Sequence, residues 1–131
     1  MYMLDTNICS YILKQRPRNV LERFEKIQPD QLCVSVVTYA ELQYGIEKTS
    51  SKRVNQGVVD EFFARLQVLA WDEEAAQHYG KIRHYLEDRG TPIGNMDLMI
   101  AAHALSRKCK LVTNNLREFK RVPQLKIENW I

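Results

Sequence analysis

Three acids stand in stretches of this 131-residue sequence where a carboxylate is out of place. Asp5 follows the apolar run Tyr2-Met3-Leu4 and opens the polar cluster Asp5-Thr6-Asn7. Glu41 is the only charge between Leu32 and Ile46, and between Met96 and Leu105 only Asp97 and His103 are not apolar. A buried, unpaired carboxylate costs several kcal/mol, by order of magnitude, so buried acids are paired or bind metals. Each acid also has a purely local reading. Asp5 or Thr6 could cap the following helix. Thr38-x-x-Glu41 has capping-box spacing, and Asp97 suits the positive end of a helix, although Asn95 is the better cap there. Thr113-Asn114-Asn115 could add oxygen ligands, with Glu118 one helical turn later. Carboxylates converging on a hard divalent cation suit Mg²⁺ or Mn²⁺, and such a site activates water against a phosphodiester. In that arrangement Thr6, Asn7, Thr113 and Asn114 support the acids by hydrogen bonds.

Other chemistries find little support. His78 and His84 are six apart, about 240° around a helix, and do not form a pair. His103 reads as a hydrogen-bonded helix residue. The chain has no G-x-S-x-G, P-loop or G-x-G-x-x-G motif. Cys9, Cys33 and Cys109 are odd in number and lack a CxxC pair, which predicts reduced, mostly buried thiols in a cytoplasmic protein.

Convergence requires elements that carry these residues to one edge. Strands are expected at Tyr2–Leu4, Leu32–Ser35, Gln67–Ala70 and Lys110–Thr113, with a further one near Leu125–Ile127. Helices are expected over Thr6–Gln15, around Val20–Ile27, Val36–Lys48, Lys52–Leu66, Asp72–Arg89 and Asn95–Lys108, with a short one at Leu116–Phe119. Strands alternating with helices indicate an α/β domain of three layers around a central parallel sheet of four to five strands. Its strand C-termini then share one side, bringing Asp5, Ser35 and Thr113 to a common edge.

The totals fit one such domain over residues 1–131. No apolar run approaches the ~18 residues of a membrane span, and Asp5 interrupts the start before an apolar signal region could form. The net charge of +3 is mild, but basic residues cluster at Lys14/Arg16/Arg18, Lys48/Lys52/Arg53, Arg107/Lys108/Lys110 and Arg117/Lys120/Arg121. Such clusters permit nucleic-acid binding and are equally compatible with a solvated basic surface.

Four motifs in order resemble the PIN-domain family, and specifically VapC-type toxins. They are Met3–Asn7, Ser35–Gly45, Pro92–Asp97 running into Ile100–Ala104, and Leu111–Asn115 with Arg117-Glu118-Phe119 and the trailing Asn129-Trp130. The resemblance implies a PIN-like fold and a Mg²⁺-dependent endoribonuclease, in many members dimeric and in several acting on tRNA. It also implies inhibition by a cognate VapB antitoxin, with Asp5, Glu41 and Asp97 at the acidic metal positions. The departure is Asn115, where many members carry Asp; either its amide oxygen ligates or Glu118 supplies the charge. Two rivals to this expectation are a non-catalytic PIN-like module that binds RNA or a partner, and a haloacid-dehalogenase-type phosphatase. The latter expects a second Asp where Asn7 stands.

Overall fold

A computed structural model describes residues 1–131. In chain order the elements are β1 (Tyr2–Leu4), α1 (Thr6–Lys14), α2 (Arg18–Lys26), β2 (Leu32–Ser35), α3 (Val36–Glu47), α4 (Lys52–Phe63) and β3 (Gln67–Leu69). Then follow α5 (Glu73–Asp88), α6 (Asn95–Ser106), β4 (Lys110–Val112), α7 (Leu116–Phe119) and β5 (Ile127–Glu128). The five strands form one sheet of order β3-β2-β1-β4-β5, and every neighbouring pair is parallel.

Alternation along the short strands builds the three layers. Met3, Cys33 and Leu111 point into one core, against Ile82 and Leu86 of α5, the apolar body of α6 and Phe119 of α7. Their neighbours Leu4, Val34 and Val112 point into the other, against α1, α2 and α4 through Ile8, Ile12, Phe24 and Phe62. Successive side chains of a strand face opposite ways, so a sheet covered on both sides reads as a continuous apolar run. Ile12 and Phe24 are therefore core.

The order also fixes where a crevice opens. From β1 the chain winds outward through β2 and β3, then returns across the sheet to place β4 on the other side of β1. The strand order thus reverses between β1 and β4, and in open α/β sheets ligands bind at the carboxyl ends of the strands flanking that point. Asp5 and Thr113 are the first residues past those two ends.

The helix ends differ from expectation in informative places. α4 stops at Phe63, because the Arg65 and Leu66 amides turn back to the carbonyls of Phe62 and Phe63, three residues behind, and so steer the chain into β3. α5 closes as expected on Gly90 at φ +69°, with the Gly90 amide on Glu87 and the Thr91 amide on Leu86, the paired bonds of a Schellman turn. Asn95 is not the cap of α6. Gly94 occupies that position without a side-chain bond, and the Asn95 amide oxygen instead accepts from the Tyr79 hydroxyl at 2.6 Å. The Thr38/Glu41 capping box does not form either: Ser35 caps α3, its hydroxyl accepting from the Val37 amide at 3.1 Å. The last strand begins at Ile127, two residues later than the sequence suggests, where Leu111 and Val112 of β4 offer its pairing register.

Candidate metal centre

Asp5 leaves β1 at the switch point and is only 3% exposed. Its amide donates to the Val112 carbonyl at 3.0 Å, tying the end of β1 to β4. Its carboxylate accepts from the Ile8 amide at 2.9 Å and so caps α1. Both readings of Asp5 hold together: it is a helix cap and a buried acid at the carboxyl edge. Burial pushes its pKa from the ordinary 3.8 up to about 6; the Thr113 hydroxyl and the Ile8 amide pull it down, and the charges of Asp97 and Glu41 push it up again.

Glu41 comes from the second turn of α3, which starts directly where β2 ends. The Thr6 hydroxyl, at the start of α1, donates to Glu41 Oε1 at 2.6 Å and makes a weaker contact of 3.3 Å with the Thr38 hydroxyl. Freed from a capping box, Glu41 is thus aimed across at the start of α1. Asp97 sits half-buried in the first turn of α6. Its pKa is also raised, first by burial and then by the charges of Glu118 and Glu41, while a hydrogen bond from Asn115 works the other way. The Asn115 amide nitrogen donates to Asp97 Oδ2 at 3.4 Å and to Glu118 Oε2 at 3.1 Å. Asn115 thereby bridges two acids through its nitrogen. The Asn115 backbone amide in turn donates to the Thr113 hydroxyl at 2.9 Å.

Asp5, Glu41, Asp97 and Glu118 therefore form one electrostatic neighbourhood built from β1, α3, α6 and α7. None of the five ion pairs of the chain includes any of them. Clustered carboxylates without a counter-cation repel one another, and no three acidic, histidine or cysteine side chains close into a ready-made ligand set. The donor set is nonetheless all oxygen, half-buried and negatively charged. It fits a hard ion such as Mg²⁺, which keeps several waters and takes only one or two carboxylates. Two expected supports lie elsewhere: Asn7 is exposed and makes no side-chain hydrogen bond to the acids, and Asn114 accepts from Asn129 at 3.3 Å. The phosphatase reading lacks its second acid because residue 7 is a neutral amide.

Comparison with known proteins shows the family of the chain. The PIN domain family matches residues 2–125. The chain is 47% identical over 129 residues to the tRNA(fMet)-specific endonuclease VapC of Salmonella typhimurium, covering 98% of this chain and 97% of that protein.

The chain is a PIN-domain protein of the VapC family.

It is also 42% identical over 131 residues to ribonuclease VapC2 of Rickettsia felis, covering 99% and 98% of the two chains. Among solved structures, the DNA-bound VapBC of Salmonella typhimurium superposes with a TM-score of 0.94 at 47% identity, covering 99% and 98% of the two chains. The resemblance drawn from the four motifs is the correct family, and the α/β sandwich with its parallel sheet is the expected fold. In this VapC-family chain two contacts are not visible in the sequence. Thr38 has the spacing of a cap partner for Glu41 but packs beside Thr6. Ser35, expected at the common edge, and His103, expected as a hydrogen-bonded helix residue, form a buried pair 2.7 Å apart; 68 residues separate them, so no local pattern shows that they are partners.

Proposed function

We propose that this VapC-family chain is the toxin of a toxin–antitoxin pair: a divalent-metal-dependent endoribonuclease acting on tRNA and restrained by a VapB-type antitoxin. The observation that carries the reading is the set of mutually repelling acids at the switch point, Asp5, Glu41, Asp97 and Glu118, left without any Lys or Arg partner. The relatives named as tRNA(fMet)-specific endonuclease and ribonuclease support the substrate class. The solved VapBC complexes support the partner.

Asp5 and Asp97 would hold Mg²⁺, with Mn²⁺ able to substitute, and Glu41 would either join them or orient the attacking water. The bound ion supplies Lewis-acid stabilisation of the phosphoryl oxygens and a more acidic water. Thr6 fixes the Glu41 carboxylate through its 2.6 Å bond, and Asn115 spaces Asp97 from Glu118. Thr113 lies under both Asp5 and the Asn115 amide. In the second of these roles, a water held at Glu41 would attack phosphorus in line with the 3′-oxygen and give a proton to the Glu41 carboxylate, while the departing 3′-oxygen takes a proton from solvent, leaving a 5′-phosphate and a 3′-hydroxyl. Arg117, Lys120 and Arg121 on and beside α7 would hold the RNA backbone, which makes binding weaken as salt rises.

Residues 1–131 are read as one working unit, dimeric and cytoplasmic; no helix is long and apolar enough to cross a membrane. The test is purified protein on tRNA with Mg²⁺ or with excess chelator, beside Asp97→Asn. Cleavage by the wild type in Mg²⁺ alone supports the reading. Full activity in chelator or in Asp97→Asn overturns it.

A further inference from the structure

We propose that His103 is a positioning residue for the acids, acting through Ser35 to hold α6 and α3 in register, an inference that rests on the ribonuclease reading above. His103 is fully buried in α6, six residues beyond Asp97, about 9 Å along the helix axis. No substrate can reach it there, so it cannot touch the reacting atoms. Its Nδ1 lies 2.7 Å from the Ser35 hydroxyl, which is itself 0% exposed. That is the one side-chain hydrogen bond joining α6 to the corner where β2 turns into α3. A buried imidazole in an apolar core is expensive to keep unless its bond is useful.

The hydrogen positions follow from the partners. The Ser35 oxygen already accepts from the Val37 amide, and the only acceptor within reach of its own hydrogen is His103 Nδ1. Ser35 therefore donates, Nδ1 accepts, and the ring proton sits on Nε2, which finds no full hydrogen bond. Burial and then the Arg107 charge hold the histidine below its ordinary pKa, against the opposing pull of Asp72 and the Ala70 backbone.

This bond closes a chain of contacts around the site. Asp5 is linked to Thr113, Thr113 to Asn115 and Asn115 to Asp97. Asp97 shares α6 with His103, and His103 reaches Ser35 at the cap of α3. Along α3 comes Glu41, bound to Thr6, the residue after Asp5. His103–Ser35 is the one link in that circuit with no contact to an acid. Cutting it leaves every acid in place chemically but frees α3 to shift against α6, which changes the spacing of Glu41 from Asp97.

The test uses the full chain on tRNA across a Mg²⁺ titration, with His103→Leu, His103→Asn, Ser35→Ala and the Ser35→Ala/His103→Leu double variant. An Asn oxygen stands where Nδ1 stood, whereas Leu offers no acceptor. His103→Leu is expected to lower kcat about tenfold or more and to raise the Mg²⁺ needed for half activity, the usual scale for a residue that orients ligands, with the KM for tRNA unchanged. His103→Asn recovers most of that loss. Ser35→Ala loses at least as much as His103→Leu, because it also removes the α3 cap, and the double variant loses no more than Ser35→Ala alone, because both changes cut the same link. Nitrogen NMR of the wild-type imidazole reads the Nε2–H tautomer. An unchanged kcat in folded His103→Leu, equal losses in Leu and Asn, additive losses, or an Nδ1–H tautomer would each overturn the proposal; if His103→Leu does not fold, Ser35→Ala and the tautomer decide. Inactive wild-type protein would instead defeat the ribonuclease reading, whereas an active wild type, a dead Asp97→Asn and an unimpaired His103→Leu would defeat the positioning role alone.

Discussion

Asp5→Asn should make the metal-free protein more stable at pH 8 while removing its activity. The carboxylate of Asp5 is 3% exposed, and its pKa rises on folding from 3.8 to about 6. A folded-state pKa above the unfolded one means that folding favours the protonated acid. Its stabilising contribution is complete below about pH 4 and is lost as pH climbs through about 6. Above pH 7 the ionised group opposes folding by about 3 kcal/mol, at 1.36 kcal/mol per tenfold change in proton affinity. Asn keeps the acceptor for the Ile8 amide, so the cap of α1 survives, and the charge is gone. The variant should therefore unfold roughly 10 °C above wild type at pH 8 in chelator. The difference should shrink towards zero near pH 4. Thermal unfolding followed by circular dichroism at pH 4, 6 and 8 measures it. Added Mg²⁺ should raise the wild-type midpoint and leave the variant's unmoved. Equal or lower stability of Asp5→Asn at pH 8 would refute the claim that burial and neighbouring acids load this carboxylate.

Three further outcomes follow from named contacts. Thr6→Val keeps the shape of the side chain but removes the 2.6 Å donor to Glu41; kcat should fall about tenfold with little change in melting temperature, and unchanged steady-state kinetics would remove Thr6 from the site. Asn115→Asp replaces the donor shared by Asp97 and Glu118 with a third charge, so urea unfolding in chelator at pH 8 should show a loss of about 1–2 kcal/mol that Mg²⁺ restores. Trp130→Ala empties a site that is 4% exposed, packs edge-on to Tyr2 at 5.7 Å and donates to Glu128 at 2.7 Å; it should cost about 3–5 kcal/mol in urea unfolding.

The strands and helices were legible because their apolar spacing follows the two periods of protein structure, and the parallel order follows from their alternation. What slipped were ends decided by packing rather than by local preference. Asn95 is a good cap by type, but Tyr79 claims its side chain. Thr38 and Glu41 have capping-box spacing, but Ser35 had already capped the helix three residues earlier. The acids themselves were readable, since a carboxylate in an apolar run stands out whatever surrounds it in space. Their wiring was not: the direction of the Asn115 amide, the Thr6–Glu41 bond and the Ser35–His103 pair all join residues from different elements. Asn7 shows the converse, a residue in the right motif that the first turn of α1 rotates out to solvent.

The most direct test maps RNA ends after brief expression of the wild type and of Asp97→Ala. Metal-supported hydrolysis by water predicts new tRNA cuts bearing a 5′-phosphate and a 3′-hydroxyl, absent from the variant. Cuts that persist in Asp97→Ala, or that end in a 2′,3′-cyclic phosphate and so report attack by the RNA's own 2′-hydroxyl, would contradict the acid cluster as the seat of the reaction.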